Sequence, residues 1–411
     1  MNILEFKMYY EPEIAAGIAL DSNTAEDLAK RGHNVKLYVP TPSRGVTRKQ
    51  AKNVSKIEKK ENDHLIIYRY TMYPEHGGII QRVIRYFLCS IKQLWFGLTT
   101  KDIDLIFAGS TPPFQGLICN VVKKIRKVPF VYNCQDIFPD SMVTAGITKE
   151  DSFIFKIGNW ISNVTYKSAD SIIVISEQMK ENLLKKRVSG KKIHVVSNWV
   201  DENLIFPINK ESNSLYSELG IKQYPFMVVY AGNIGYAQAI DIIIEAADKL
   251  KDNNQIGFIL FGNGAMKDQV LQMIEEKNLK NVQIFPLQPY EKVSEVYSLG
   301  DACIVSCKKG TGGNAMPSKT WSIMGCGRPI LASFDKGTLL QEVIEEYSCG
   351  MFAEAGDVSS LVDNILFLNQ NIDIAYMQGK NARSYIETHL TRQIGTGKII
   401  KIIENTYKRG E

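Results

Sequence analysis

The feature that most restricts this chain is an alternation, run through twice, of short apolar segments with amphipathic helical patterns. Segments at 2–6, 34–39, 65–70, 105–108, 130–133, 171–175 and 193–196 are nearly all apolar. A second set follows at 226–231, 257–261, 282–285, 302–306 and 330–333, with 348–352 a further candidate. Such runs suit parallel strands covered by helices on both faces, not strands with one wet side. Helical patterns lie between them, for example at 22–31, 241–251, 267–277 and 318–326. Repeated βαβ units predict an α/β protein of two doubly wound, Rossmann-like domains. The pattern breaks between 200 and 224, where Asp201 to Pro207 and Asn209 to Ser214 separate the two sets. The domains are therefore drawn as 1–205 and 206–390, and the helical tail 391–411 is assigned to the first.

A 45% hydrophobic and 23% charged composition is that of an ordinary globular chain and excludes disorder, collagen-like repeats and disulfide-stapled mini-proteins. Seven scattered cysteines include no Cys-x-x-Cys pair, and Cys303 with Cys307 has no second pair to complete a zinc site. Free thiols in a reducing cytoplasm are expected. The start of the chain lacks a signal-peptide pattern, and no run approaches the ~20 apolar residues that span a bilayer. A cytoplasmic protein, peripheral to the membrane, is therefore expected. The net charge of +5 conceals an asymmetry: residues 1–200 carry +10 and the remainder −5. In the basic half, a helix at 79–98 sets Ile80, Val83, Ile84, Phe87, Leu88, Ile91, Leu94, Trp95 and Leu98 against Arg82, Arg85 and Lys92. Two readings fit it: an interfacial helix drawn to anionic lipid, or a surface helix burying its apolar stripe in its own domain. Basic clusters at Lys123 to Lys127 and Lys185 to Arg187 add to the attraction for an anionic surface. No nucleic-acid recognition motif accompanies the basic excess.

Three glycine-bearing loops follow strands of the second domain. Gly232, Asn233, Gly235 and Gln238 lie between the strand at 226–231 and a helix. Gly262, Asn263 and Gly264 follow the strand at 257–261. The third stretch runs from Lys308 to Lys319 and includes Gly312, Gly313, Asn314, Met316, Pro317, Ser318 and Lys319. Loops at the carboxyl ends of neighbouring parallel strands are where open α/β sheets bind ligands, and helix starts favour anions. Ser318 is the expected cap of the third helix. Lys319 in its first turn opposes the helix dipole, so it is poorly placed for stability and well placed for an anionic ligand.

In order and spacing these loops, with Gly327-Arg-Pro-Ile330 after them, resemble the GT4-type glycosyltransferases of the GT-B fold. Arg31-Gly-His33, Asp136 to Asp140 and Val196 to Asp201 in the first half agree. The resemblance is strongest to the bacterial branch that builds O-antigen, capsule and colanic-acid repeats, including fucosamine transferases. It implies two Rossmann-like domains facing across a cleft and a hexosyltransferase that retains anomeric configuration. It also implies a UDP-sugar donor held mainly by the second domain, and a polyprenyl-diphosphate-linked saccharide as acceptor on the first. An N-acetylated 6-deoxy amino sugar is the preferred donor sugar.

The family's diphosphate-neutralising Arg and Lys correspond here to Asn233 and Gln238, and its pair of glutamates to Asn314 and Ser322. Lys319 then supplies the charge the first loop lacks. Gly17 matches the family's glycine loop facing the diphosphate, and Leu287 and Gln288 its contact to the base. On the acceptor side Gln135 stands where relatives place His or Arg, leaving Asp136 to accept or orient the acceptor proton. An equal reading has Asp136 capping the following turn. His33 is expected to be structural, and Asp102 with Asp104 a solvated pair at a strand start, so no essential metal or other cofactor is expected. Competing readings are a UDP-sugar 2-epimerase on the same fold, and a non-catalytic nucleotide-sugar-binding partner in a polysaccharide assembly complex.

Overall fold

The computed structural model describes residues 1–13, 17–75, 78–144, 148–312 and 316–410. They form two compact units, Met1–Asn198 with Gln393–Glu411, and Trp199–Arg392.

The first unit contains β1 (Asn2–Phe6), α1 (Ile18–Lys30), β2 (Asn34–Pro40), α2 (Arg48–Asn53), β3 (Ile57–Lys60), β4 (Leu65–Tyr70) and α3 (Ile79–Thr99). It continues through β5 (Leu105–Gly109), α4 (Gln115–Arg126), β6 (Phe130–Cys134), α5 (Asp140–Thr144), α6 (Phe153–Ser168), β7 (Ser171–Val174), α7 (Glu177–Lys185) and β8 (Ile193–Val195). The strands form one sheet in the order β3-β4-β2-β1-β5-β6-β7-β8. Among the described strands of this sheet, only β3 runs antiparallel to its neighbour. This strand has no counterpart among the apolar segments of the sequence, because Ile-Glu-Lys-Lys is a charged edge with no apolar run. The central strands bury residues on both faces, Leu4, Phe6, Ile106, Phe130 and Ile172 on one and Ile3, Leu105, Phe107, Val131 and Ile173 on the other.

Helix α3 corrects the expected facing. Val83, Ile84, Phe87, Leu88, Ile91 and Trp95 are exposed, while Arg85, Cys89 and Gln93 are completely buried. The inward polar groups are held by backbone carbonyls, though Arg85 Nε has no partner among the described residues: Arg85 donates through its terminal nitrogens to the Tyr73 carbonyl, and Gln93 Nε2 donates to the Lys7 carbonyl at 3.3 Å. Gln115 Nε2 in turn donates to Gln93 Oε1 at 3.3 Å. The reading in which the apolar stripe packs on its own domain is therefore overturned, and Arg85 does not share a solvent face with Arg82.

The second unit comprises α8 (Leu215–Glu218), β9 (Phe226–Asn233), α9 (Ile240–Lys249), β10 (Ile256–Asn263), α10 (Lys267–Glu276), β11 (Val282–Phe285) and α11 (Val293–Ser298). Next come β12 (Ala302–Ser306), α12 (Ser318–Gly325), β13 (Ile330–Phe334), α13 (Leu339–Tyr347), β14 (Gly350–Glu354), α14 (Val358–Gln370) and α15 (Ile372–His389). Its parallel sheet is ordered β11-β10-β9-β12-β13-β14. The strand order reverses between β9 and β12, so the loops after β9, β10 and β12 gather around the switch point. The segment 199–205 belongs to this unit and not to the first. The Val200 amide donates to the Leu390 carbonyl at 2.9 Å, Arg392 pairs with Asp201 at 3.1 Å, and Val200 and Ile205 enter the core.

The last helix, α16 (Arg392–Gly410), lies almost wholly in the first unit. It buries Ile399, Ile400 and Ile403, and Thr406 Oγ1 meets Ser171 Oγ at 2.7 Å. Its Glu404 meets His33 Nε2 at 3.2 Å and Arg31 at 3.1 Å, which gives His33 a structural partner. Asp104 accepts from the Asn2 amide at 2.6 Å and fastens the start of β1.

Candidate functional site

Two of the three glycine loops are parts of one extended strand pair. β9 and β10 run further than expected, pairing Gly232 with Gly262 and Asn233 with Asn263. Beyond them the Ile234 amide donates to the Asn263 carbonyl at 2.9 Å, and the Met266 amide to the Ile234 carbonyl at 2.9 Å. A Cβ on Gly262 would stand 2.4 Å from the Gly232 carbonyl oxygen, and one on Gly264 2.4 Å from that of Ile234. Gly264 also has φ +155°. These two glycines are thus required by loop-on-loop packing, whatever else they contact. Asn233 Nδ2 donates to Gln238 Oε1 at 3.0 Å, so the residues at the family's basic positions bind each other. The turn holding Gly235 and Gln238 ends at Ala239, with φ +46°, where α9 begins. Ser306 Oγ at the end of β12 donates to the Gln238 carbonyl at 2.6 Å, and the Lys308 amide to that of Ala237 at 2.9 Å. All three loops are thereby tied together.

Lys319 reaches into this junction. Its Nζ lies 4.0 Å from the centroid of the Tyr230 ring, and 2.8 Å from where a Cβ on Gly232 would stand. Tyr230 is fixed by donating its hydroxyl to the Asn233 carbonyl at 2.6 Å. The Lys319 ammonium is buried and has no hydrogen-bond partner among the described residues, and burial pushes its pKa down to about 7. A cation over an aromatic face is attracted by the ring quadrupole, which compensates only part of the lost hydration. Helix α12, which carries it, starts without a side-chain cap. Pro317 is the capping residue, and Ser318 is the exposed first residue of the helix, which corrects its expected capping role. An unpartnered buried cation and open helix amides occur in the same turn, and both favour an anion.

Gly312 differs from expectation. Its amide donates to Asp335 Oδ2 at 2.8 Å, and the Gly310 amide donates to Asp335 Oδ1 at 2.8 Å. A Cβ on Gly312 would meet the Phe334 ring at 2.5 Å. The third loop is therefore held by a carboxylate at the end of β13, and its Gly312 amide is already engaged. Sequence reasoning missed Asp335 because nothing marks a lone Asp after a strand as a loop anchor. Gly313 and Asn314 lie outside the described residues. Met316 packs against the core, Ser322 is half-buried on α12, and Leu287 is exposed after β11. Gln288 turns back to donate to the Pro286 carbonyl at 2.9 Å.

In the first unit, Gln135 and Asp136 follow β6. The Gln135 amide donates to Ser110 Oγ at 3.2 Å, and its side chain donates to the buried Asn133 Oδ1 at 3.1 Å. Asp136 is exposed beside them. Gly17, with φ +85°, opens α1 with no atom of the described residues within 4 Å of a would-be Cβ. Among the described residues no group of three or more His, Cys, Asp or Glu is placed to hold a metal ion, and no helix is long and apolar enough to cross a membrane.

Comparison with known proteins gives two matching families. Glycosyltransferase Family 4 matches residues 22–204, and Glycosyl transferases group 1 matches residues 213–385. A Pseudomonas aeruginosa protein named as a probable glycosyltransferase, WbjE, is 27% identical over 298 residues, covering 71% of this chain and 72% of that protein. WcaI of Escherichia coli (strain K12), named as a glycosyl transferase of colanic acid biosynthesis, is 23% identical over 372 residues, 89% of this chain and 91% of its own. Among solved structures, Anabaena Alr3699/HepE in complex with UDP-glucose superposes with a TM-score of 0.73 at 16% identity, covering 98% of this chain and 100% of that one. WaaG, described as a glycosyltransferase involved in lipopolysaccharide biosynthesis, superposes with a TM-score of 0.70 at 15% identity, covering 98% and 99%.

Proposed function

Because the chain belongs to the GT4-type glycosyltransferases of the GT-B fold, we propose that it transfers a sugar from UDP to a polyprenyl-diphosphate-linked saccharide in bacterial surface-polysaccharide synthesis. The acceptor class and setting follow the names of its relatives WbjE and WcaI, and the UDP-sugar follows the HepE complex. An N-acetylated 6-deoxy amino sugar remains the preferred cargo.

The observation that carries this reading is the buried, unpartnered Lys319 ammonium beside the uncapped start of α12. When the bond between the anomeric carbon and the β-phosphate oxygen breaks, the electron pair goes to that oxygen and negative charge grows on the diphosphate. Lys319, its ammonium already withdrawn from water, and the first amides of α12 receive that charge. Loop residues Gly232, Asn233, Gly235 and Gln238 shape the wall of the phosphate site. Ser322 is assigned to the ribose, and Leu287 and Gln288 to the base. Retention places the incoming acceptor hydroxyl on the face the phosphate leaves, and its proton passes to the departing phosphate oxygen or to Asp136. No metal is required in this scheme. A lipid-linked acceptor sets the reaction at the cytoplasmic face of the membrane, where the basic first unit and α3 meet anionic lipid.

Thermal unfolding with a panel of UDP- and GDP-sugars, with and without EDTA, tests the reading. Selective stabilisation by a UDP-sugar, unchanged by EDTA, is expected. Stabilisation by GDP-sugars alone, or only with a divalent ion, would contradict it.

A further inference from the structure

We propose that α3, α4 and α6 together form one lipid-docking face, a three-helix surface that seats in the headgroup region of an anionic bilayer. The inference rests on the membrane setting proposed above and extends it from one helix to three. The helices are neighbours by close backbone contact. A Cβ on Gly97 of α3 would stand 2.4 Å from Val122 of α4, and one on Gly116 of α4 would stand 2.2 Å from Thr165 of α6. Their outward stripes therefore lie side by side. On α3 the stripe presents Phe87 (60% exposed) and Trp95 (66%), on α4 Ile125, and on α6 Phe153 (76%), Ile154 and Trp160 (60%). Residues 153, 154, 157 and 160 recur at helical spacing, so α6 has a continuous exposed apolar edge of its own.

The charge on these helices names the occupant. The 21, 12 and 16 residues of α3, α4 and α6 contain no Asp or Glu. They do contain Lys and Arg, with Lys124 and Lys156 exposed beside the apolar stripe. Aromatic and aliphatic side chains flanked by lysines suit the boundary between phosphate headgroups and acyl chains, with the ammonium groups reaching outward to the phosphates. A second copy of this face is a poor partner, because the three helices bring only basic charge to it, the nearest exposed acids, Glu150 and Asp151, lying just before α6.

The chain carries its own reporters. Of its four tryptophans, Trp95 and Trp160 are exposed on this face, whereas Trp199 and Trp321 are buried in the second unit. The full-length protein, and its Trp95→Phe and Trp160→Phe variants, would be titrated with vesicles of phosphatidylglycerol and phosphatidylcholine, and with phosphatidylcholine alone. Blue-shifted emission and protection from an aqueous quencher are expected for both tryptophans with the anionic vesicles only. Phe153→Ser with Trp160→Ser should lower vesicle affinity about tenfold, while its thermal shift with UDP-sugar stays as in the unmodified protein. If Trp95 is protected and Trp160 remains open to quencher, docking through α3 alone holds and the three-helix face is wrong. Concentration-dependent protection without lipid would overturn the proposal in favour of self-association. Absence of vesicle binding would overturn it as well, leaving donor binding, read separately by the UDP-sugar shift, untouched.

Discussion

At the scale of single residues the site turns on one ammonium group. The Lys319 ammonium is buried over Tyr230 without a hydrogen-bond partner among the described residues, and its pKa is lowered from 10.5 to about 7 by desolvation. Free protein therefore holds it about half charged at neutral pH, and a bound diphosphate would hold it charged. The diphosphate of a UDP-sugar is esterified at both ends and does not titrate between pH 5 and 9, so the proton taken up on binding goes to the lysine. Calorimetry in buffers of different ionisation enthalpy should show uptake of nearly one proton at about pH 8.5 and almost none at about pH 5.5. Above about pH 7 the affinity should fall by about tenfold per pH unit. Equal uptake at both pH values would remove Lys319 from the binding step. The same group also affects stability. Its folded pKa lies below the unfolded one, so the unfolded chain binds more protons between about pH 7 and 10.5. The cost of burying the charge is thus fully present below that window and fades as pH rises through it. The position of Lys319 in a helix start was legible in the sequence. Its isolation was not, because Tyr230 lies 89 residues earlier, on another strand.

At the scale of elements, the loops around the switch point depend on close approach and on one carboxylate. Gly264→Ala would place a methyl 2.4 Å from the Ile234 carbonyl oxygen at a φ of +155°. A loss of about 2–4 kcal/mol is expected by denaturant unfolding. Gly17→Ala, with no described atom within 4 Å of the new methyl, should cost only about 1 kcal/mol for its positive φ. Asp335→Ala removes the acceptor of both the Gly310 and Gly312 amides. It should cost about 1–3 kcal/mol and loosen the loop preceding Lys319, seen as faster hydrogen exchange at 308–312. Full protection there would contradict the anchoring role.

The element scale also shows what could be read beforehand. Central strands were legible because burial on both faces leaves almost no polar residue in them. Strand β3 was not, being a charged edge, and the ends of β9 and β10 were hidden because their glycines resemble turn residues while in fact pairing. Helix α3 was visible as amphipathic, but periodicity says only that two faces differ. Arg85 and Gln93 point inward because backbone carbonyls elsewhere in the unit accept their hydrogen bonds, a tertiary fact no local pattern contains.

At the scale of the whole molecule, the division into a basic first half and an acidic second half matches two units with separate tasks. The first unit is closed by the far end of the chain. Removing residues 393–411 would expose Ile399, Ile400 and Ile403, each worth about 1.5–3 kcal/mol when fully buried. Scanning calorimetry should then show the first unit's transition lowered or lost, with a UDP-sugar-responsive transition retained by the second. An unchanged thermogram would argue that α16 does not hold the first unit together.

The most direct test of the central claim is to compare thermal unfolding of the unmodified protein and Lys319→Met, each with and without a saturating UDP-sugar. Removing an unpaired buried charge while keeping its apolar stem should raise the melting temperature of the free variant, and the UDP-sugar should then stabilise the unmodified protein alone. A variant that melts no higher than the unmodified protein and is still stabilised fully by UDP-sugar would show that Lys319 is not the group that holds the diphosphate.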